Sequence, residues 1–383
     1  MARPLSVKPA LPLPVRMKAN VSATGRGVCI AMVDSDFMAH PDLTLPNNRI
    51  VGYADAVHNT VHIEVPEVPV TPRHWHGTMT ACTAAGNGYL SGGMYSSLAP
   101  ESTVLLVRTM NEKNRVTTDS IVCALETIGR LAAEHNIRVV NISVYADEIE
   151  HTLAHPVNRA VTNLVEQGIC VVSATGNNPR APIRPPAAAP LGIAVGGLDD
   201  KNTLLESDKE MYHSTFGITE LGVQKPDVIA PAIYLPGPIL PGTPEQQEAA
   251  ALSALDALTD SMLLETAPRL LPYTGIPLSV WTSRDIAELR NAIDNRINLE
   301  QIIAPYYKMV DGTSFAAPIV ASIVAQMVAL KPDLTPEQIK TILTHTAKPL
   351  PDVPRLIQGA GVVDQHAALA YCSALAKVEH QAA

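Results

Sequence analysis

Aromatic residues are scarce in this 383-residue chain: three Phe, two Trp and ten Tyr, 4% of the total. Its core must therefore be built from Ala, Val, Ile and Leu. Cysteine is sparse as well. Cys29, Cys82, Cys123, Cys170 and Cys372 are odd in number, widely spaced and contain no C-x-x-C pair. No disulfide framework is expected, and a reducing, cytoplasmic setting is the simpler expectation. Charged residues reach only 17%, with 28 basic against 37 acidic and a net charge of −9. That lacks the basic face of a nucleic-acid binder, so no nucleic-acid partner is expected. No run approaches 18 consecutive apolar residues, so no membrane-spanning helix and no membrane partner are expected. The opening MARPLSVKPALPLPVRMKAN is interrupted by prolines and charges and makes a poor secretory signal. No repeat of 20–50 residues is visible.

Hydrophobic residues are plentiful at 46%, and there are 32 prolines, which point to long ordered loops. The length suits one large domain or two ordinary ones, with a core that needs no staples. Residues 27–34, 103–110, 138–145, 168–175 and 191–198 are short apolar runs bounded by turn residues. They are continuous rather than alternating, as in strands covered on both faces. Between them, 117–135 places Ile121, Leu125, Ile128 and Leu131 at helical spacing, with Thr118 or Asp119 as N-cap. Further helices are expected over 152–167, 314–330, 336–346 and 364–377. The alternation predicts an α/β fold: a doubly wound, mostly parallel sheet with helices on both faces. Residues 1–24 read as an N-terminal extension and 25–383 as one domain. Residues 237–308 break the rhythm. They show no clear strand and two amphipathic stretches, 244–265 and 283–303, and read as a helical insertion too short for its own core.

In such a sheet, function gathers at the carboxyl ends of the strands. Four motifs fall at such ends or open adjacent helices. VDSDFMAHPDL (33–43) closes a strand at Asp34. HWHGTMTACTAAG (74–86) carries His76 before a run of small residues that permit close helix–sheet packing. His74 and His76 lack a third ligand at zinc spacing, and no metal site is assigned. VVSATGNN (171–178) ends a strand in Gly176-Asn177, where an Asn amide can donate to a developing oxyanion. DGTSFAAPIVASIVAQMVAL (311–330) opens a long apolar helix at Ser314, where unpaired N–H groups and the helix dipole favour negative charge. Alone, each has an ordinary structural explanation: a cap, a core histidine, a turn, a cap.

Together the motifs resemble those of the subtilisin-like serine peptidases, the subtilases. Asp34 with His40-Pro41-Asp42-Leu43, His76-Gly77-Thr78, Gly176-Asn177 and Gly312-Thr313-Ser314-Phe315-Ala316-Ala317-Pro318 match in the family's order, Asp…His…Ser. Lys225–Pro231 and Gly359–Asp364 add secondary matches, and the resemblance covers about 25–375 outside the insertion. It implies an intracellular-type serine endopeptidase acting on a peptide or protein substrate, with no large pro-domain. Ser314 is the nucleophile, His76 the general base and acid, Asp34 its orienting carboxylate. The Asn177 side chain and the Ser314 N–H form the oxyanion hole. No catalytic cofactor is implied. Structural calcium is conceivable at Asp42, although the matching loop 87–97 has few oxygen ligands. Ser143, Val144 and Tyr145 match the substrate-pairing segment that walls the primary specificity pocket.

The chain departs from the family at several points. Asp36 and Tyr145 stand where glycine is usual. Asp36 is expected in a solvated loop; the Tyr145 ring either points away or narrows the pocket and favours a small residue before the scissile bond. Met79 replaces a second histidine and Cys82 a glycine; Cys82 reads as a buried, inert thiol. A selective processing role is the leading expectation, with the insertion controlling access or recognising one substrate; an oligomer contact and a remote surface decoration are its rival readings. Transfer of the acyl group to an amine and a non-catalytic peptide-binding scaffold are the alternatives.

Overall fold

The computed structural model describes residues 10–146 and 154–382. The first nine residues of the expected N-terminal extension, and residues 152–153 of the helix expected over 152–167, lie outside the described residues. The chain forms two compact units. The larger comprises Pro12–Ile233 and Asp311–Ala383, and the smaller is built on Tyr234–Val310.

The larger unit is organised by one sheet. In residue numbers its strand order is 228–231, 193–199, 170–174, 137–142, 29–34, 103–108, 50–55, 60–62. Pairing is parallel throughout, except for Thr60–His62 and Glu210–Met211, which add antiparallel. The central strand Cys29–Asp34 pairs on both sides, and all six of its residues are buried. Its alternate residues serve the two faces. Cys29, Ala31 and Val33 join the core under the helices Thr118–His135 and Pro156–Glu166. Ile30 and Met32, equally buried, point the other way. The long helix Thr313–Leu330 packs on strands Ile137–Ile142, Cys170–Ala174 and Ile193–Asp199 and on helices Arg73–Ala85 and Gln365–Ala382. This is the α/β architecture expected from the sequence.

Three local expectations are corrected. The helix over 118–135 is capped by Thr117, not by Thr118 or Asp119. The Thr117 Oγ1 accepts from Ser120 N at 3.1 Å while Ser120 Oγ accepts from Thr117 N at 3.1 Å, a reciprocal cap that satisfies two otherwise unpaired donors. Strands Ile50–Asp55 and Val228–Pro231 were not foreseen. The helix Thr313–Leu330 is also long and apolar enough to cross a membrane by length and composition, contrary to the sequence expectation. It is 83% buried within the protein, as a core helix covered on nearly all sides.

The smaller unit corrects the expectation of a purely helical insertion without a core. Strands Leu235–Pro238, Tyr307–Val310 and Ile302–Ala304 form an antiparallel sheet in that order. Helices Pro244–Ala257, Asp260–Leu270, Leu278–Thr282 and Ile286–Glu300 accompany it. Leu252, Leu255, Leu263, Leu289 and Ile293 are fully buried in a cluster of the unit's own. The sequence Leu-Pro-Gly-Pro reads as a turn, yet it pairs with residues 307–310 about seventy positions later. Local periodicity cannot reveal such a partner.

Candidate active site

Three adjacent parallel strands deliver the site from their carboxyl ends. Asp34 is the last residue of Cys29–Asp34. Ser143 follows Ile137–Ile142, and Asn177 follows Cys170–Ala174. His76 lies in the first turn of Arg73–Ala85, and Ser314 in the first turn of Thr313–Leu330. All four predicted chemical residues thus fall at one end of the sheet.

Gly77 allows the His76 helix to lie close. A Cβ there would stand 2.3 Å from the Asp36 carbonyl oxygen and 3.1 Å from the Asp34 Cβ. Close packing brings His76 Nδ1 to 2.6 Å from Asp34 Oδ1. Asp34 is wholly buried. Its Oδ1 also accepts from Ser35 N at 2.7 Å, and its Oδ2 accepts from Thr80 Oγ1 at 3.0 Å. The His76 side chain is one-third exposed, and its ring lies 6.0 Å from that of Phe315, next to Ser314. Burial alone would lower the His76 pKa. The charge of Asp34 and its hydrogen bond outweigh burial and raise it above the ordinary 6.5.

Pro318 explains how Ser314 is fixed. It lacks the N–H that would bond to the carbonyl of residue 314, four positions back. That carbonyl accepts instead from Ser143 Oγ at 2.9 Å, and Ser143 Oγ itself accepts from Asn141 Nδ2 at 3.0 Å. The Ser314 hydroxyl donates to the Ser143 carbonyl oxygen at 3.4 Å, a long bond that is easily exchanged. Opposite lies Asn177. Its Oδ1 accepts from Thr313 N and from Thr313 Oγ1, both at 2.9 Å. A backbone N–H can only donate, so the amide oxygen must face Thr313 and the NH₂ must face away. Thr313 Oγ1 in turn accepts from Gly176 N at 3.1 Å.

Gly312, at φ +132°, completes this arrangement. A Cβ at this position would lie 3.3 Å from Asn177 Nδ2 and 3.8 Å from Ser314 N. Both donors thus lie within 4 Å of one point, and the positive φ at Gly312 favours glycine there. Sequence reasoning assigned Asn177 and Ser314 N–H to that pair but missed Thr313, whose buried side chain orients the amide. The Gly-Thr before Ser314 was the available signal.

Of the departures, Cys82 meets its expectation and Asp36 does not. Asp36 is not a solvated loop residue. It is buried, accepts from the Tyr53 hydroxyl at 2.8 Å, and lies 3.5 Å from Arg108 and 3.7 Å from His74. Tyr145 is half-exposed, with the Arg184 guanidinium 5.1 Å from its ring centroid. Val144 packs on the core beneath, and Ser143 is engaged with Ser314. Cys82 is fully buried, and burial pushes its thiol well above the ordinary cysteine range. The thiol lies 3.6 Å from His40 Nδ1, and the ligand atoms of His40, Asp42 and Cys82 lie within 4.8 Å of one another. This does not fit calcium, which takes six to eight oxygen ligands. Leu90 N–H already points at Asp42 Oδ1 from 3.0 Å, and Asp42 N–H points at His40 Nδ1 from 3.1 Å.

Residues 25–361 match the sequence model of the Subtilase family. Among curated proteins, the chain is 27% identical over 351 residues to serine protease AprX of Bacillus subtilis (strain 168), covering 89% of this chain and 66% of AprX. It is 29% identical over 184 residues to subtilisin BL of Lederbergia lenta, covering 48% of this chain and 60% of that enzyme. The chain thus spans about two thirds or less of these relatives. Among solved structures, the proteases from Pseudoalteromonas arctica PAMC 21717 align with a TM-score of 0.60 at 19% identity, covering 95% of this chain and 94% of theirs. The prenylagaramide maturation protease PagA aligns with a TM-score of 0.58 at 18% identity, covering 95% of this chain and 99% of its own. At such identities the structural likeness concerns the fold.

Proposed function

Because this chain belongs to the Subtilase family, we propose that it is a serine endopeptidase that hydrolyses peptide bonds through an acyl-enzyme. The observation that carries this reading is the pairing of two prearranged devices around Ser314. One is the buried Asp34–His76 hydrogen bond of 2.6 Å. The other is the Asn177 amide, held by Thr313 with its NH₂ beside the Ser314 N–H.

In this reading the Ser314 hydroxyl leaves the Ser143 carbonyl and gives its proton to His76 Nε2 as Oγ attacks the peptide carbonyl carbon. Asp34 keeps the proton on Nδ1, so Nε2 carries the lone pair, and then stabilises the imidazolium. The carbonyl oxygen takes up the negative charge between Asn177 Nδ2 and Ser314 N–H. The C–N bond breaks as His76 returns the proton to the leaving amine. Water, deprotonated by the same imidazole, then releases the acid and regenerates Ser314.

We read Ser143, Val144 and Tyr145 as the segment that pairs with substrate, the half-exposed Tyr145 ring limiting the side chain before the scissile bond. A fold neighbour that is a maturation protease supports a selective processing role. Free thiols at all five cysteines support a reducing compartment. The test is incubation with a peptide library, wild type beside Ser314→Ala, read by mass. Fragments whose masses sum to substrate plus one water establish hydrolysis. A product joined to an added amine, with no water gained, establishes acyl transfer. No Ser314-dependent product refutes both.

A further inference from the structure

His76 and Thr80 are four residues apart on Arg73–Ala85 and so share one face of the helix. Both reach the same carboxylate. His76 takes Asp34 Oδ1, while Thr80 Oγ1 donates to Oδ2 at 3.0 Å and is itself wholly buried. Among the described residues Thr80 is the only donor to Oδ2. No water can readily replace it, because neither group meets solvent.

We infer that Thr80 is a positioning residue for the Asp34–His76 pair: its hydroxyl pins Oδ2, so that Oδ1 is the oxygen presented to the imidazole. The hydroxyl has one proton and two acceptors in reach, Asp34 Oδ2 and the Gly77 carbonyl at 2.9 Å. The Gly77 carbonyl is neutral and stands one turn below the N–H of Ala81 in the helix ladder. The carboxylate is charged, and charge-assisted hydrogen bonds are about twice as strong as neutral ones. The proton therefore goes to Asp34.

Other charged groups near the pair are committed elsewhere. Asp36 faces Tyr53, Arg108 and His74. Arg73 donates to the Asn111 carbonyl, and Asp311 accepts from the Tyr212 hydroxyl at 3.1 Å. The neighbouring segments at Ser143 and at Ser314–Phe315 contribute no charge. Thr80 is thus the group beside His76 that disperses the Asp34 charge from the far side.

The test compares Thr80→Val, which keeps the shape and removes the hydroxyl, with Thr80→Ser, which keeps the hydroxyl. The first readout is the His76 imidazole titration by nitrogen-15 NMR, which needs no substrate. With the hydroxyl gone, the undispersed carboxylate charge draws the imidazole proton more strongly, and the His76 midpoint rises by roughly half a pH unit in Thr80→Val. Thr80→Ser restores it. The second readout rests on the peptidase reading: kcat falls by about three- to tenfold in Thr80→Val at nearly unchanged KM, and the serine variant recovers it. A folded Thr80→Val protein with an unmoved His76 midpoint overturns the inference, since a purely structural threonine would lower only the melting temperature. If the midpoint moves but wild type cleaves nothing, the positioning role stands and the peptidase reading falls.

Discussion

Replacing Asp34 by asparagine removes a charge without turning the amide the wrong way. Oδ1 faces both the His76 Nδ1–H and the Ser35 N–H, which is an obligatory donor. The oxygen of the substituted amide must therefore keep that place. Its NH₂ falls at Oδ2, toward Thr80, whose hydroxyl turns to accept and donates to the Gly77 carbonyl at 2.9 Å. Thr80 takes one of the two amide N–H groups, the other gains no partner at the Oδ2 position, and the proton stays on Nδ1. What is lost is the attraction between the carboxylate and the imidazolium. At about 4 Å and an effective dielectric of about 20, that attraction is about 4 kcal/mol, less what solvent screens at the one-third exposed ring. About 3 kcal/mol corresponds to a drop in kcat of roughly a hundredfold. Where an asparagine presents its NH₂ to the imidazole instead, the wrong tautomer costs about ten thousandfold. The assay is twofold: nitrogen-15 shifts of His76 for the tautomer, and kcat/KM against pH for the charge. Asp34→Asn keeps the Nδ1–H form, and its His76 titrates below 6.5, because burial then acts unopposed. A His76 carrying its proton on Nε2 in this variant would refute the geometric reasoning.

In the wild type, catalysis requires neutral His76, whose pKa is raised, so kcat/KM falls on the acid side with a midpoint above 6.5; a midpoint at or below 6.5 in a pH–rate profile contradicts this. Asn177→Ala removes one oxyanion donor and costs about a hundred- to a thousandfold in kcat, the loss typical of this class, with KM little changed in steady-state kinetics. Tyr145→Gly opens the wall beside Ser143, so the ratio of kcat/KM for a Phe over an Ala before the scissile bond rises by about tenfold; an unchanged ratio removes Tyr145 from the specificity determinants. Wholly buried Lys225 donates to Asp227 at 2.8 Å, and burial, offset only in part by Asp227, lowers its pKa to about 8 from 10.5. Between those values the unfolded chain holds the extra proton. Denaturant unfolding then shows stability rising with pH through this window by about 3 kcal/mol relative to Lys225→Met.

The parts of the fold that follow from local pattern were legible in the sequence. Cys29–Asp34 and its parallel neighbours are continuous apolar runs because helices cover both their faces. The site was legible because each chemical residue ends a strand or opens a helix, positions marked by Asp34, Gly176-Asn177 and Gly312-Thr313-Ser314. What stayed hidden depends on distant partners. Ile50–Asp55 is interrupted by Gly52, where an added Cβ would stand 3.2 Å from Leu105 Cδ1 and 3.3 Å from the His62 carbonyl oxygen. Leu235–Pro238 becomes a strand only through Tyr307–Val310. Asp36 looked solvated because Tyr53, Arg108 and His74 come from other elements. Thr80 and Thr313 looked like ordinary helix residues until the carboxylate and the amide they hold were placed beside them.

The central claim is that Ser314 is an activated nucleophile served by His76 and Asn177. Fluorophosphonate labelling of wild type beside Ser314→Ala, read by intact mass, tests it most directly. A single adduct on wild type and none on the variant is the expected result. Labelling of both proteins alike, or of neither, would contradict it.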